Sequence, residues 1–386
     1  MDPDRRRVLE LLGAAGLTGL AGCLGGPEDG DDGGGGGDGS GGDGGGDGGS
    51  GDGDGGDDRT TTAADVTNIG MVYAAGGLGD GSFNDQAQTG LFEAEEELGV
   101  EYREAQPENP SEFETFQRQF AQSDDPDYDL VCCIGFLQTD FLAATAPNFP
   151  DQSFMLVDSV VDEDNVANYT FKEHEGSFLV GQLVSALTTR NFSAGAGSTA
   201  GDSASVGFVG GVESDLIRRF QAGFEAGVNT ADGDVDVVTN YVGGFDDPTG
   251  GREAALAMYD SGADVVYHAA GNSGTGVFQA AQQRDRFAVG VDRDQSVTRD
   301  SYADVILASM VKRVDTAVFG AIEAVDEGGF EGGSVVSLGL EQDGVDITYG
   351  QQLGSEIPQD VRDAVAQSRQ GIIDGDVSVP TDPDNV

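Results

Sequence analysis

Short apolar segments recur along the chain from about residue 68 onward, and segments with helical periodicity separate them. The first apolar segment, residues 69–73, precedes a glycine-rich turn and a helix predicted to end near Leu98. Another helix is predicted from Glu173 to about Thr189. Apolar runs of this length between helices are typical of parallel sheets covered on both faces, so the pattern predicts two α/β lobes. The other predicted strands are residues 129–135, 153–157, 205–209, 237–242, 264–269, 287–291 and 304–308.

The first candidates for a binding site are residues at strand ends, because ligands of such sheets bind beyond the carboxyl ends of the strands. Phe83 follows a glycine-rich turn at a predicted helix start, where its ring can stack on a planar ligand. The same segment fits a capping box formed by Ser82 and Asp85. On that interpretation the segment only begins a helix and has no contact with a ligand. Asp292 can accept hydrogen bonds from two hydroxyl groups of a diol, although solvent can equally cover an acidic residue there. Lys312, one of only two lysines, lies at a predicted strand-to-helix junction.

Other motifs argue against metal or nucleotide chemistry. Residues 271–276 form a glycine-rich turn before a helix but lack the Gly-Lys-Ser/Thr ending of a phosphate-binding loop. Residues 292–295 begin like a calcium loop, but Ser296 and Val297 stand where the next ligand and the glycine belong. The sequence contains neither a Gly-x-Ser-x-Gly elbow nor an HExxH motif. We therefore expect no cofactor, no metal site and no enzymatic activity.

The amino-terminal segment has the pattern of an export signal. Three arginines at residues 5–7 precede an apolar stretch, residues 8–21, that is too short to span a bilayer. Residues 20–23 (LAGC) resemble a lipobox, which predicts lipidation of Cys23 and anchoring to the outer face of the cell membrane. A signal that is not lipidated is the alternative. The paired arginines favour the twin-arginine route, with general secretion left open.

Residues 24–63 consist mostly of glycine and acidic residues. Such a segment buries too little apolar surface to fold, so we expect a disordered tether between the export signal and the folded body.

The net charge of the chain argues against nucleic acid as a partner and indicates a high-salt environment. The chain has 19 Lys and Arg against 70 Asp and Glu, a formal net charge of −51. Nucleic-acid binding through a basic face is excluded, because phosphate attraction needs clustered cations. Self-repulsion of so acidic a body weakens when salt screens it, which favours adaptation to high salt over an ordinary acidic secreted protein.

Eight segments of the body form one ordered set: residues 76–84 (GGLGDGSFN), 171–181 (FKEHEGSFLVG), 206–211 (VGFVGG), 220–227 (FQAGFEAG), 241–247 (YVGGFDD), 270–271 (AG), 289–295 (VGVDRDQ) and 309–312 (SMVK). Together these segments resemble the basic membrane protein family of substrate-binding lipoproteins, which includes purine nucleoside receptors of ABC importers. The resemblance implies a type I periplasmic-binding-protein fold, with two Rossmann-like lobes joined by hinge crossovers. It also implies a nucleoside ligand, preferably a purine nucleoside, and a permease and its ATPase as partners.

Carried over by motif, the resemblance implies a ligand site made from both lobes. Its expected members are Phe83 and Phe245 around the base, with Asp158 at the base side. Asp292 and Lys312 are expected at the ribose with the Gly271 backbone beside them, and Asn84 completes the set. The family usually has an acidic residue shortly after the first strand, where this chain has Ala74. That departure leaves the base preference open.

The predictions also include the bounds of each lobe and several alternative functions. Lobe 1 is predicted to comprise residues 64–171 plus 297–330, and lobe 2 residues 172–296 plus 331–386. The alternatives are the same fold with a sugar, vitamin or signal as ligand, a sensor receptor, and an exported enzyme such as a nucleoside hydrolase.

Overall fold

The computed structural model describes residues 66–201, 205–230 and 235–386. The predicted export signal, Cys23 and the predicted tether lie outside the described residues. None of the helices in the described ranges has the length and apolar character needed to cross a membrane. The strands are β1 (Asn68–Val72), β2 (Glu101–Ala105), β3 (Leu130–Cys133), β4 (Ser153–Val157), β5 (Val166–Phe171), β6 (Ser193–Ala194), β7 (Gly197–Ser198), β8 (Ser205–Gly210), β9 (Asp236–Tyr241), β10 (Val265–Ala269), β11 (Phe287–Asp292), β12 (Ile306–Lys312), β13 (Val335–Leu338) and β14 (Val345–Tyr349).

Helices connect most of these strands and cover the two large sheets. The helices are α1 (Phe83–Leu98), α2 (Phe113–Ala121), α3 (Thr139–Thr145), α4 (Glu173–Thr188), α5 (Asp215–Val228), α6 (Pro248–Asp260), α7 (Gly274–Arg284), α8 (Gln295–Thr298), α9 (Val314–Asp326) and α10 (Gln359–Ile373). Short 3-10 turns occur between them, including residues 271–273 before α7.

Two six-stranded sheets form the cores of the two lobes. The first has the order β13-β5-β4-β3-β1-β2 and is entirely parallel. The second has the order β14-β12-β11-β10-β8-β9, with only β14 antiparallel to its neighbour. The central strands are buried along their whole length, as expected when helices cover both faces. The predicted two-lobed α/β architecture is confirmed.

Within the described ranges the chain crosses between the lobes three times, and these crossings correct the predicted lobe boundaries. The first follows β5, the second joins β12 to α9, and the third joins β13 to β14. Strand β12 pairs with β11, so it lies in the second lobe rather than in the first as predicted for residues 297–330. Strand β13 pairs with β5, so it lies in the first lobe rather than in the second as predicted for residues 331–386. The apolar pattern of a strand identifies it as buried but does not identify the sheet it joins.

Candidate ligand-binding cleft

A cleft lies where the carboxyl ends of the parallel strands of both lobes meet. It contains about 680 Å³ of space, part of it open to solvent. The structure brings all seven predicted site residues to its wall: Phe83, Asn84, Asp158, Phe245, Gly271, Asp292 and Lys312. Ala74, the position of the departure from the family pattern, also lines it.

The loop between β1 and α1 is organised by carboxylates, and the predicted capping box at its end is wrong. Ser82 makes no side-chain capping bond; its hydroxyl donates to Oδ2 of Asp292 at 2.5 Å. Asp80 accepts the backbone N–H groups of Ser82 and Asn84 instead, each at 2.9 Å. Asp85 accepts N–H groups from the preceding loop rather than closing the box. The Ser82 hydroxyl is bonded to Asp292 in the other lobe, so the carboxylate of Asp80 rather than Ser82 caps the start of α1.

Asn84 fixes the wall of the cleft through its amide group. Its Oδ1 accepts the N–H of Ala74 at 2.9 Å, and its Nδ2 donates to the carbonyl of Gly77 at 2.9 Å. The side chain is 2% exposed. With both ends of the amide bonded to the backbone, Asn84 orders the loop that a ligand would contact.

Aromatic side chains from both lobes enter the cleft. Phe83 begins α1 in the first lobe, and Phe245 lies in the loop between β9 and α6 in the second. Phe136 of the first lobe meets Phe245 edge to face, with ring centroids 6.2 Å apart. Phe136 could not be identified from the sequence, because an aromatic residue after a buried strand is equally typical of a core.

The loop that carries Phe245 is fixed to the turn before α7. The N–H of Ser273 donates to the carbonyl of Phe245 at 3.1 Å, and the Ser273 hydroxyl accepts the N–H of Asp247 at 2.8 Å. Gly271 has φ +53°, and a Cβ there would lie 3.1 Å from the Phe245 carbonyl oxygen. Gly271 therefore permits the close approach that positions the ring.

Lys312 is the buried cation of the site. Its Nζ lies 2.5 Å from Oδ1 of Asp158 and 3.2 Å from Oε1 of Glu173. The ammonium also lies over the rings of Phe83 at 5.1 Å and Phe171 at 5.0 Å, within the range of cation–π attraction. Burial alone would lower the pKa of Lys312, but the surrounding carboxylates outweigh it and raise that pKa above its usual value. Lys312 therefore stays charged at neutral pH.

Sequence reasoning missed Glu173, which connects the cleft to the hinge. It is the first residue of α4 directly after the first crossing, and it is fully buried. Besides Lys312, it pairs with Arg219 of α5 at 3.3 Å. Lys312 itself ends β12 at the second crossing, so the ion pair between them ties two crossings together. Burial raises the pKa of Glu173 despite the attraction of Lys312.

The other lysine of the chain also lies at a crossing. Lys172 pairs with Glu175 at 3.3 Å, and Oε2 of Glu175 accepts the N–H of Leu340 at 2.8 Å. Leu340 belongs to the third crossing. Both lysines of the chain therefore lie next to crossings between the lobes.

Asp292 and Asp158 point into the cleft from positions with unusual backbone geometry. Their φ angles are +65° and +71°, values that cost energy for any residue except glycine and that cluster at functional sites. Asp292 is 6% exposed, so it is not a solvated surface residue. Burial raises its pKa to about 7, although Lys312 opposes the shift.

The chain is similar to a known protein family, to relatives in other organisms and to solved structures. Residues 67–382 match the family described as "ABC transporter substrate-binding protein PnrA-like". A relative in Listeria monocytogenes, "CD4+ T-cell-stimulating antigen", is 35% identical over 334 residues, covering 82% of this chain and 88% of that protein. "ABC transporter nucleoside-binding protein BmpA" of Lactococcus lactis is 34% identical over 330 residues, covering 81% and 88%. A crystal structure of an ABC transporter solute-binding protein from Aeropyrum pernix superposes with a TM-score of 0.73 at 30% identity, covering 82% and 95%.

Proposed function

Because the chain belongs to the family of PnrA-like ABC transporter substrate-binding proteins, we propose that the solute it delivers is a nucleoside, with purine nucleosides preferred. The family consists of solute-binding proteins rather than enzymes. The two lobes of the structure have the type I periplasmic-binding-protein fold. Its members deliver a small molecule to a permease that an ATPase drives.

One observation carries the proposal: phenyl rings from both lobes share a cleft with a buried ammonium and a buried carboxylate. Stacking of a base on an aromatic ring contributes ~1–3 kcal/mol. Asp292 can accept hydrogen bonds from the two ribose hydroxyls, and Lys312 can donate one. Two stacking faces and these charged contacts are enough for micromolar affinity or better, about −8 kcal/mol.

Calorimetry of the purified protein with adenosine, guanosine, inosine and uridine tests the proposal. We expect saturable heat at one site per chain, with the purine nucleosides bound more tightly than uridine because their larger bases stack over more area. The titration should be repeated with a hexose and with inositol. Saturable binding of those polyols together with no response to any nucleoside would replace the proposed ligand with a sugar-like solute.

The apolar wall around Ala74 predicts weak discrimination among purine bases. Ala74, Ala75 and Leu137 line the cleft without a side-chain hydrogen-bond acceptor. We expect inosine, which has an N1–H donor, and purine riboside, which lacks one, to bind within about threefold of each other. Ala74→Asp should supply the acceptor and favour inosine about tenfold, the worth of one hydrogen bond to a charged group. An unchanged affinity ratio in the variant would show that the base edge does not face residue 74.

Membrane attachment is proposed from the sequence, since Cys23 lies outside the described residues. We propose that the protein is exported and held at the outer face of the cell membrane by a lipid on Cys23. Cys23→Ala should release the protein from the membrane fraction into the medium while leaving nucleoside binding unchanged. Continued membrane association of that variant would point to another anchor.

The charge of −51 underlies the proposal of adaptation to high salt. At about 1 M salt the Debye length falls to about 3 Å, so repulsion among surface carboxylates is screened. We expect the melting temperature to rise steadily between about 0.1 and 3 M KCl, because screening removes repulsion that opposes the compact state. A melting temperature that is flat or falls over this range would contradict the salt adaptation.

A further inference from the structure

A second set of contacts joins the two lobes, and its donors are not found among the described residues that line the cleft. Thr298 ends α8 in the second lobe, and its hydroxyl donates to the carbonyl of Gly81 in the first lobe at 2.9 Å. Nη2 of Arg299, the next residue, donates to the carbonyl of Gly79 at 3.0 Å. Opening of the lobes would separate both donors from both acceptors.

The first-lobe partner of these contacts is a loop that presents its carbonyl groups outward. The N–H groups of Gly79 and Gly81 donate to Asp85 at 2.7 and 2.8 Å. Both glycines have positive φ, +87° and +57°, a conformation that glycine adopts without strain, and their carbonyls accept from Thr298 and Arg299 of the other lobe. The loop is therefore fixed within its own lobe before the other lobe arrives.

The second-lobe partner is likewise held on its own side. Arg299 Nη2 also lies 3.4 Å from Oδ1 of Asn272, and Nδ2 of Asn272 donates to Asp246 at 2.7 Å. The fit between the lobes is close, because a Cβ on Gly81 would lie 2.8 Å from Cζ of Arg299. Two prearranged surfaces that meet this closely lose little conformational freedom on contact.

We propose that Thr298 and Arg299 form an interlobe latch that sets ligand affinity by stabilising the closed arrangement, without contact to the ligand itself. A ligand that binds the closed state is bound more tightly when that state is already populated. The affinity effect rests on the proposed binding function, whereas the effect on the lobes does not.

The chemistry of the latch suits a strongly acidic protein. Arg299 donates to a neutral carbonyl oxygen rather than to a carboxylate, and Thr298 is itself neutral. Concentrated salt weakens attraction between opposite charges but leaves a hydrogen bond to a neutral acceptor largely intact. The latch therefore holds the lobes together under the conditions in which surface ion pairs contribute least.

The test combines Thr298→Val with Arg299→Ala. Valine keeps the shape of threonine, and Arg299 lies outside the strands of the second sheet, so the lobes should fold normally. The control is Arg284→Ala, which removes an ion pair with Asp260 inside the second lobe. We expect the double variant to bind nucleoside about tenfold more weakly than the control, a difference of about 1.4 kcal/mol, through faster dissociation.

Small-angle scattering of the ligand-free protein provides the readout that needs no ligand. Every variant carries the same residues 1–65, so a difference in radius of gyration reports the lobes. We expect a larger radius for the double variant than for the wild type and the control. Equal radii would overturn the latch. Failure of all variants to bind nucleoside, with the expected difference in radius, would refute the proposed ligand and leave the latch standing.

Discussion

Lys312→Met is expected to lower both stability and affinity more than any other single change in the cleft. The substitution leaves the carboxylates of Asp158 and Glu173 buried without their cation. Breaking a buried ion pair from one side costs about 3–5 kcal/mol, which corresponds to a melting temperature lower by about 10 °C in a domain of this size. Nucleoside affinity should fall about a hundredfold, since a buried charged donor is lost.

The pH dependence of Lys312→Met separates the loss of charge from a packing defect. The pKa of Asp292 is about 7 in the folded protein against about 3.9 in an unfolded chain. The folded state therefore holds the extra proton between about pH 4 and 7, and Asp292 lowers stability as pH rises through that window. Without Lys312 the pKa rises further, so the deficit of the variant relative to the wild type should widen from pH 5 to pH 8.

Lys172→Met is the matched control, because it removes the only other lysine. Its side chain is 37% exposed and, among the residues that the structure describes, forms an ion pair with Glu175, so a loss of about 0.5 kcal/mol is expected. Thermal melts and calorimetry on both variants at two pH values provide the comparison. Equal destabilisation of the two, or a Lys312→Met variant that binds within threefold of wild type, would show that the buried ammonium is not central to the cleft.

Phe245→Ala is expected to weaken nucleoside binding about tenfold to a hundredfold with little change in stability. The ring is half-buried and packs on the outside of the core from the loop between β9 and α6, so its removal should cost less stability than the loss of a fully buried core ring. The loss equals the ~1–3 kcal/mol of stacking on one face of a base. The measurement is calorimetry with adenosine, and purine riboside should lose about the same factor because stacking does not depend on the exocyclic amine.

Phe92→Ala controls for the loss of an aromatic ring elsewhere. Phe92 lies on α1, is 43% exposed and meets Tyr102 at 5.9 Å, away from the cleft. Its replacement should leave affinity unchanged. If Phe245→Ala and Phe92→Ala bind adenosine equally well, the base does not stack on Phe245.

The apolar pattern located most of the buried strands and the edge strand β9, but it missed the buried strand β5 and the edge strands β2, β13 and β14. Residues 153–157 and 287–291 were predictable because strands covered on both faces are apolar throughout. Strand β2, with sequence EYREA, lies at an edge and buries only Ala105. Strand β13 is also an edge strand with only its last residue buried. At such positions pairing with one neighbour determines the strand, and the local sequence retains little signal of it.

Some residues of the site were predictable from the local sequence, whereas others join the site only through contacts with residues distant along the chain. Phe83, Asp292 and Lys312 were predictable because each follows or begins an element at the carboxyl edge of a sheet. Glu173 was not, since an acidic residue in the first turn of a helix is already explained by the helix dipole. Only the approach of a distant strand end makes it the partner of Lys312. The scarcity of lysine was the one signal that pointed toward this pair.

The crystal structure of the protein with inosine or adenosine tests the central claim most directly. The account predicts one nucleoside in the cleft, its base in contact with the rings of Phe83 and Phe245 and its ribose hydroxyls within hydrogen-bond distance of Asp292 and Lys312. A nucleoside bound elsewhere, or seated in the cleft without contact to these four side chains, would contradict it.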